Sequence, residues 1–185
     1  MFKKILILTF IISCFSFAVG CGSEAGSKPE TGSDHGTKSV SVMDNQIKWY
    51  SYDEGVALGK KEGKKIFLHF YADWCHFCSE MKKNTFTNKE VIGYLNQHFV
   101  PILVNTDKER KIAGNYFVRG LPATFFLTAE GNKIQLPIEE SRKMSDIPGF
   151  ISYEMLLRLL RFVESESYND MTFKAYTEKE PPVNK

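Results

Sequence analysis

Two cysteines stand three residues apart in Trp74-Cys75-His76-Phe77-Cys78, and no other part of the 185-residue chain is so well suited to chemistry. At the start of a helix, such a pair lies on one face with Cα atoms about 5 Å apart, inside the window that a disulfide accepts. The first sulfur then sits beside unsatisfied N–H groups and the positive end of the helix dipole, which favours its thiolate. His76, if protonated, adds to that effect. Cys75 is thus positioned to attack a disulfide, and Cys78, one turn deeper, to resolve the mixed disulfide through a Cys75–Cys78 bond.

Other uses of a cysteine pair make different demands. A c-type haem site requires His directly after the second cysteine, where this chain has Ser79. A structural zinc needs two further ligands, and the imidazoles available are His35, His69, His76 and His98. A structural disulfide over three residues closes a very small loop and stabilises little. Redox use fits best, with neither a metal nor a bound cofactor expected. Metal delivery through the pair stays open as an alternative.

Around the pair, the pattern reads as alternating helices and strands. Ser51-Tyr52-Asp53-Glu54 is a capping box that opens a helix running to about residue 62. The apolar run at residues 66–71 does not alternate, as expected of a strand covered on both faces. A helix should begin close to Cys75, and another at Thr87, with Glu90 completing a second box. Residues 100–104 form the next strand, with Pro101 tolerable near its start. A helical stretch at 108–116 leads to Leu121-Pro122, then a strand at 123–128, a turn at Glu130-Gly131-Asn132 and a hairpin partner at 133–138. Residues 137–150 read as an extended loop. Met155, Leu156, Leu159, Leu160 and Val163 recur at helical spacing. Tyr168, Met171, Phe173 and Tyr176 suggest a tail that packs back. The fold class is α/β, a central mixed sheet flanked by helices, with the first two strands parallel neighbours.

The N-terminus reads as an address. Lys3 and Lys4 precede an apolar run at residues 5–19. That run spans about 22 Å as a helix, short of a hydrocarbon core of about 30 Å, so residues 1–20 read as a signal peptide. Ala18-Val19-Gly20-Cys21 resembles a lipobox, with Cys21 as the lipidated residue. Cys14 is a second candidate, and cleavage after Ala18 would instead give a soluble periplasmic or secreted product. Residues 21–44, rich in Gly, Ser, Thr, Lys and Glu, read as a flexible tether. The folded domain and its tail are expected over residues 45–185. Of 24 basic residues two fall in the signal segment, which leaves the rest balanced against 22 acidic ones. A nucleic-acid partner is not expected.

Phe70-Tyr71-Ala72-Asp73-Trp74-Cys75-His76-Phe77-Cys78 resembles the strand-to-active-site passage of thioredoxins, and Val118-Arg119-Gly120-Leu121-Pro122-Ala123-Thr124 their cis-proline loop. The resemblance covers residues 49–165. Ala72-Asp73-Trp74-Cys75 with Lys82, Thr85 and Phe86 is most similar to the C-terminal periplasmic domain of DsbD, and secreted thioredoxins of the SoxW type also look alike. The resemblance implies a thioredoxin fold, a cis Leu121–Pro122 bond facing the cysteines and thiol–disulfide oxidoreductase activity on protein thiols and disulfides. Trp74, His76, Phe77, Leu121 and Pro122 would meet the substrate.

The pattern departs at His69, where thioredoxins carry a buried acid assigned to proton transfer. A neutral His69 is a candidate for that proton, or else a core residue. Ala123 replaces the usual Thr. Asp73 reads as a solvated carboxylate and His98 as a helix end. The similarity to DsbD favours a monomeric reductant or relay, supplied by a membrane-bound or periplasmic electron donor and anchored through its N-terminal lipid. A disulfide-forming oxidant or isomerase, or a non-catalytic binding module on the same fold, are the alternatives.

Overall fold

The structure is a computed structural model, and it describes residues 45–179. The signal segment, the tether up to residue 44, Cys14, Cys21 and His35 lie outside the described residues.

Helix α1 (Tyr52–Glu62) is started by Ser51, whose backbone N–H and hydroxyl both donate to the Glu54 carboxylate, at 3.4 and 2.6 Å. It stops at Gly63, which adopts the left-handed conformation (φ 66). Strand β1 (Lys65–Tyr71) follows and becomes an inner strand of the sheet. It pairs in parallel with β2 (Phe99–Asn105) and antiparallel with β3 (Ala123–Leu127). Both faces of β1 are buried, which explains why its apolar residues do not alternate with exposed ones. Ile66, Leu68 and Phe70 pack toward α1 and α4 (Arg110–Tyr116), whereas Phe67 packs toward α3 (Lys89–His98) and α5 (Tyr153–Glu164). Gly55 lets α1 approach the sheet, because a methyl group there would overlap the side chain of Ile102.

Pro101 lies inside β2, not at its start, and its carbonyl accepts the Tyr50 N–H at 2.9 Å on the edge away from β1. Its nitrogen faces the same way, so the missing N–H removes no bond to β1. Leu103 N–H in turn donates to the Tyr50 carbonyl at 3.2 Å. In the last turn of α3, the Asn96 amide grips the incoming chain. It accepts from the Lys48 N–H and donates to the Gln46 carbonyl, both at 2.9 Å.

Several expectations need correction. Helix α3 is capped by Asn88, not Thr87: Asn88 Oδ1 accepts from the N–H groups of Glu90 and Val91, while the Thr87 hydroxyl donates to the Lys83 carbonyl. The helix expected from residue 108 begins at Arg110, because Asn105 Oδ1 takes the N–H groups of Asp107 and Lys108 into a turn. The hairpin partner expected at 133–138 contributes to β3 only a bridge at Lys133. Instead β4 (Leu136–Glu139) pairs with β5 (Arg142–Met144) in a separate two-stranded sheet. The antiparallel neighbour of β3 is β6 (Asp146–Pro148), inside the stretch expected to be loop. These strands are three or four residues long, too short to carry a period. The main sheet thus runs β2-β1-β3-β6.

On α5, Met155 is exposed, and Leu157 and Phe162 join Leu156, Leu159, Leu160 and Val163 in the core. Each such burial contributes about 1.5–3 kcal/mol, enough to fix the helix on the sheet. The tail does pack back: Tyr168, Met171, Phe173 and Tyr176 lie against the α3–α5 core, the last two through α6 (Phe173–Lys179).

Candidate functional site

The site forms where β1 ends. Tyr71 leads through Ala72, Asp73 and Trp74 to Cys75, which is the N-cap of α2 (His76–Asn84). Its extended backbone (φ −77, ψ 110) points Sγ at the first turn, and the Cys78 N–H donates to that sulfur at 3.1 Å. A disulfide joins Cys75 to Cys78, with Cα atoms 5.2 Å apart. Each cysteine is 6% exposed, and together with Ala72 they form a small cluster against Tyr71 and Leu121. The sulfur of Cys75 thus lies among the free N–H groups of a helix start, where negative charge is favoured.

Leu121 reaches the cysteines from the loop between α4 and β3. The Leu121–Pro122 bond is cis, as the resemblance implied. Pro122 is buried, and its carbonyl accepts the Gly149 N–H at 2.7 Å, which ties the loop to the end of β6. Sequence reasoning missed Gly149 and its neighbour Phe150, an exposed aromatic beside this loop, because no motif marks them.

The other candidates line the rim. Trp74 is 72% exposed, and its indole N–H donates to Asp107 Oδ2 at 2.9 Å. Phe77 is 58% exposed and meets the His76 ring edge-on at 5.6 Å. Asp73 accepts from the Asn105 amide at 3.3 Å and lies 3.8 Å from the Lys108 ammonium. The turn after β2 therefore fastens the segment that carries Cys75 at three points, the third being Thr106 N–H to the Tyr71 carbonyl at 2.9 Å. Asn105 and Asp107 were not singled out in the sequence, although Asn-Thr-Asp after a strand is a turn signature.

His69 sits apart from the rim. It is buried on β1, with Nδ1 3.0 Å from the Thr124 hydroxyl. Its ring stacks on Phe67 and meets Phe86 edge-on, with Trp49 alongside. Burial pushes its pKa down to about 3, so the imidazole is neutral at physiological pH. His98 ends α3 as expected, its ring tilted against that of Tyr94 at 4.4 Å and 3.7 Å from a Glu164 carboxylate oxygen. Among the described residues, no group of three or more His, Cys, Asp or Glu side chains converges to hold a metal ion.

The family model of the thioredoxin-like domain matches residues 52–164, from the start of α1 to the end of α5. The chain belongs to the thioredoxin-like family. Its curated relatives include the thiol:disulfide interchange protein DsbD of Ralstonia nicotianae, 33% identical over 115 residues. That alignment covers 59% of this chain but 17% of the DsbD chain, so the match is to a small part of a longer protein. Among solved structures, a thioredoxin from Thermus thermophilus superposes with a TM-score of 0.51 at 24% identity, covering 64% of this chain and 87% of its own. A thioredoxin-fold protein from Helicobacter pylori gives 0.53 at 18% identity, covering 75% and 93%. These likenesses show that the domain has the thioredoxin fold. The mixed sheet, the cysteine pair at the start of α2 and the cis-proline loop are the parts of that fold described above.

Proposed function

We propose that this protein is an extracytoplasmic thiol–disulfide oxidoreductase that passes electrons to protein disulfides through Cys75 and Cys78. The observation that carries the reading is the disulfide-forming pair at the N-terminus of α2, with Leu121 of the cis-proline loop packed against it. The name of the DsbD relative, a thiol:disulfide interchange protein, supports the same chemistry.

In the reduced protein, the Cys75 thiolate attacks one sulfur of a substrate disulfide. An S–S bond forms between protein and substrate, and one substrate thiolate leaves. The Cys78 thiolate then attacks Cys75 Sγ, which closes the Cys75–Cys78 disulfide and releases the second substrate thiol. Two electrons have passed to the substrate, and an external dithiol must return them. The Cys78 N–H, which already donates to Cys75 Sγ, stabilises that sulfur as a thiolate. Trp74, Phe77 and Leu121 offer an apolar rim to the polypeptide around the substrate disulfide, with His76 and Pro122 beside it.

His69 belongs to the core in this reading. Moving a proton from a thiol of ordinary pKa, about 8.5, to an imidazole of pKa about 3 runs uphill by about 7 kcal/mol. His69 is therefore not assigned the deprotonation of Cys78. The reductant direction rests on the similarity to DsbD, on Asp73 two residues before Cys75 and on Phe77, which offers the sulfur no hydrogen bond. Lipidation at Cys21 would hold the domain on a membrane surface, close to a membrane-bound dithiol donor.

Insulin reduction with dithiothreitol as the donor tests the reading. Wild-type protein is expected to accelerate insulin precipitation and Cys75→Ser to abolish the acceleration. Cys78→Ser should accumulate mixed disulfides on non-reducing gels. Trapping through Cys78 in Cys75→Ser, with none in Cys78→Ser, would reverse the two roles.

A further inference from the structure

The loop that carries Leu121 to the cysteines is anchored at its far end by a residue outside the site. Helix α4 ends at Tyr116, and Phe117 follows in the left-handed region (φ 55, ψ 42). A residue with a Cβ adopts that conformation only at a cost, so the surroundings must hold it there. Phe117 is 77% exposed, and its own packing contributes little. Its N–H bonds back to Gly114, and the Val118 N–H bonds back to Ala113.

Lys133 supplies the rest. It follows the turn after β3 and bridges Leu127 through its backbone. Its half-buried side chain runs across to the end of α4. The ammonium lies 3.5 Å from the Tyr116 carbonyl oxygen. It also lies 4.7 Å from the ring centroid of Tyr116, 5.3 Å from that of Phe125 and 5.9 Å from that of Phe117. A cation at the negative end of a helix is favoured, and so is a cation over aromatic faces. Here one ammonium does both, and it joins three elements: α4, β3 and the turn beyond β3.

We propose that Lys133 is a positioning residue for the redox site, which fixes the α4 terminus and hence the path of residues 117–121 to the cysteine pair. The proposal rests on the oxidoreductase reading above. Three residues separate the fixed cap at Phe117 from Leu121, which packs against Cys75 and Cys78. A displaced cap moves the Leu121 backbone, and a polypeptide lying beside the disulfide must meet that backbone. A small dithiol needs only the sulfur. Loss of the ammonium therefore weakens the engagement of protein substrates and leaves exchange with small thiols unchanged.

The test uses the full chain as wild type, Lys133→Met and Lys133→Arg, with insulin and dithiothreitol as probes. Lys133→Met keeps the stem and removes the cation, and Lys133→Arg restores a cation. The expected result is a rise of about fivefold in KM for insulin, equivalent to about 1 kcal/mol, with kcat unchanged. The rate constant with dithiothreitol stays at the wild-type value, and Lys133→Arg recovers most of the KM. Should Lys133→Met fail to fold, Lys133→Gln, which keeps a donor for the Tyr116 carbonyl, reads the same split. An unchanged KM in a folded variant, or equal losses with insulin and dithiothreitol, overturns the proposal alone. Wild-type protein inert toward both probes overturns the oxidoreductase reading and the proposal with it.

Discussion

Acid should destabilise this domain through His69, by an amount that follows from its burial. In the folded chain the imidazole has a pKa of about 3, against an ordinary value of 6.5 once unfolded. Above pH 6.5 both states hold it neutral, and it adds no pH dependence. Below pH 6.5 the unfolded chain binds a proton that the folded chain refuses. Stability then falls by about 1.4 kcal/mol per pH unit until the pH nears 3. Between pH 7.5 and 5.0 the loss is about 2 kcal/mol, a sizeable share of the 5–15 kcal/mol typical of a domain. His69→Asn removes the titration and keeps a polar partner for the Thr124 hydroxyl, now 3.0 Å from Nδ1. The smaller side chain costs stability at pH 7.5, but its pH profile should be flatter by those 2 kcal/mol. Urea unfolding of both proteins at pH 7.5, 6.5, 5.5 and 5.0 measures the difference, because the other titrating groups are common to both. Parallel profiles would refute the reasoning, as would an imidazole resonance of His69 that titrates near pH 6.5 in the folded protein.

Gly55→Ala should destabilise by about 1–3 kcal/mol, because the added methyl overlaps Ile102 on the neighbouring strand and α1 must shift. Thermal denaturation at neutral pH reads this, and an unchanged midpoint would mean that the helix has room to spare. Cys21→Ser should leave the redox activity intact and release the protein from the membrane fraction, or block its processing. Fractionation followed by immunoblotting checks it, and unchanged membrane association would move the anchor to Cys14 or elsewhere.

The sequence made the redox pair legible because its chemistry is local. Two thiols at helical spacing after a buried strand admit few uses, and the start of α2 at Cys75 follows from the same residues. Capping at Ser51 was equally readable, since a side chain and a backbone three residues apart suffice. What failed was non-local or too short. The partner of β3 is a three-residue strand with Pro148 at its end, which offers no period to count. Asn88 displaced Thr87 as a cap because both can accept, and the choice depends on where the Thr87 hydroxyl donates. The grip of Lys133 on three rings depends on residues brought from 116 to 133, and spacing cannot reveal it. His69 could be singled out by its position, but its neutrality is a property of the packed aromatics around it.

The clasp of Asn96 on the chain at residues 46 and 48 has a mechanical meaning. Tyr50 bridges Ile102 in parallel, so a pull applied through residue 45 must cross these contacts before it reaches α1. The two Asn96 bonds stand first in line to take the load, ahead of the two Tyr50 bonds to β2. That load passes into α3 and the outer edge of β2. The Cys75 end of the sheet lies beyond the last of these bonds, shielded from tension on the leading segment.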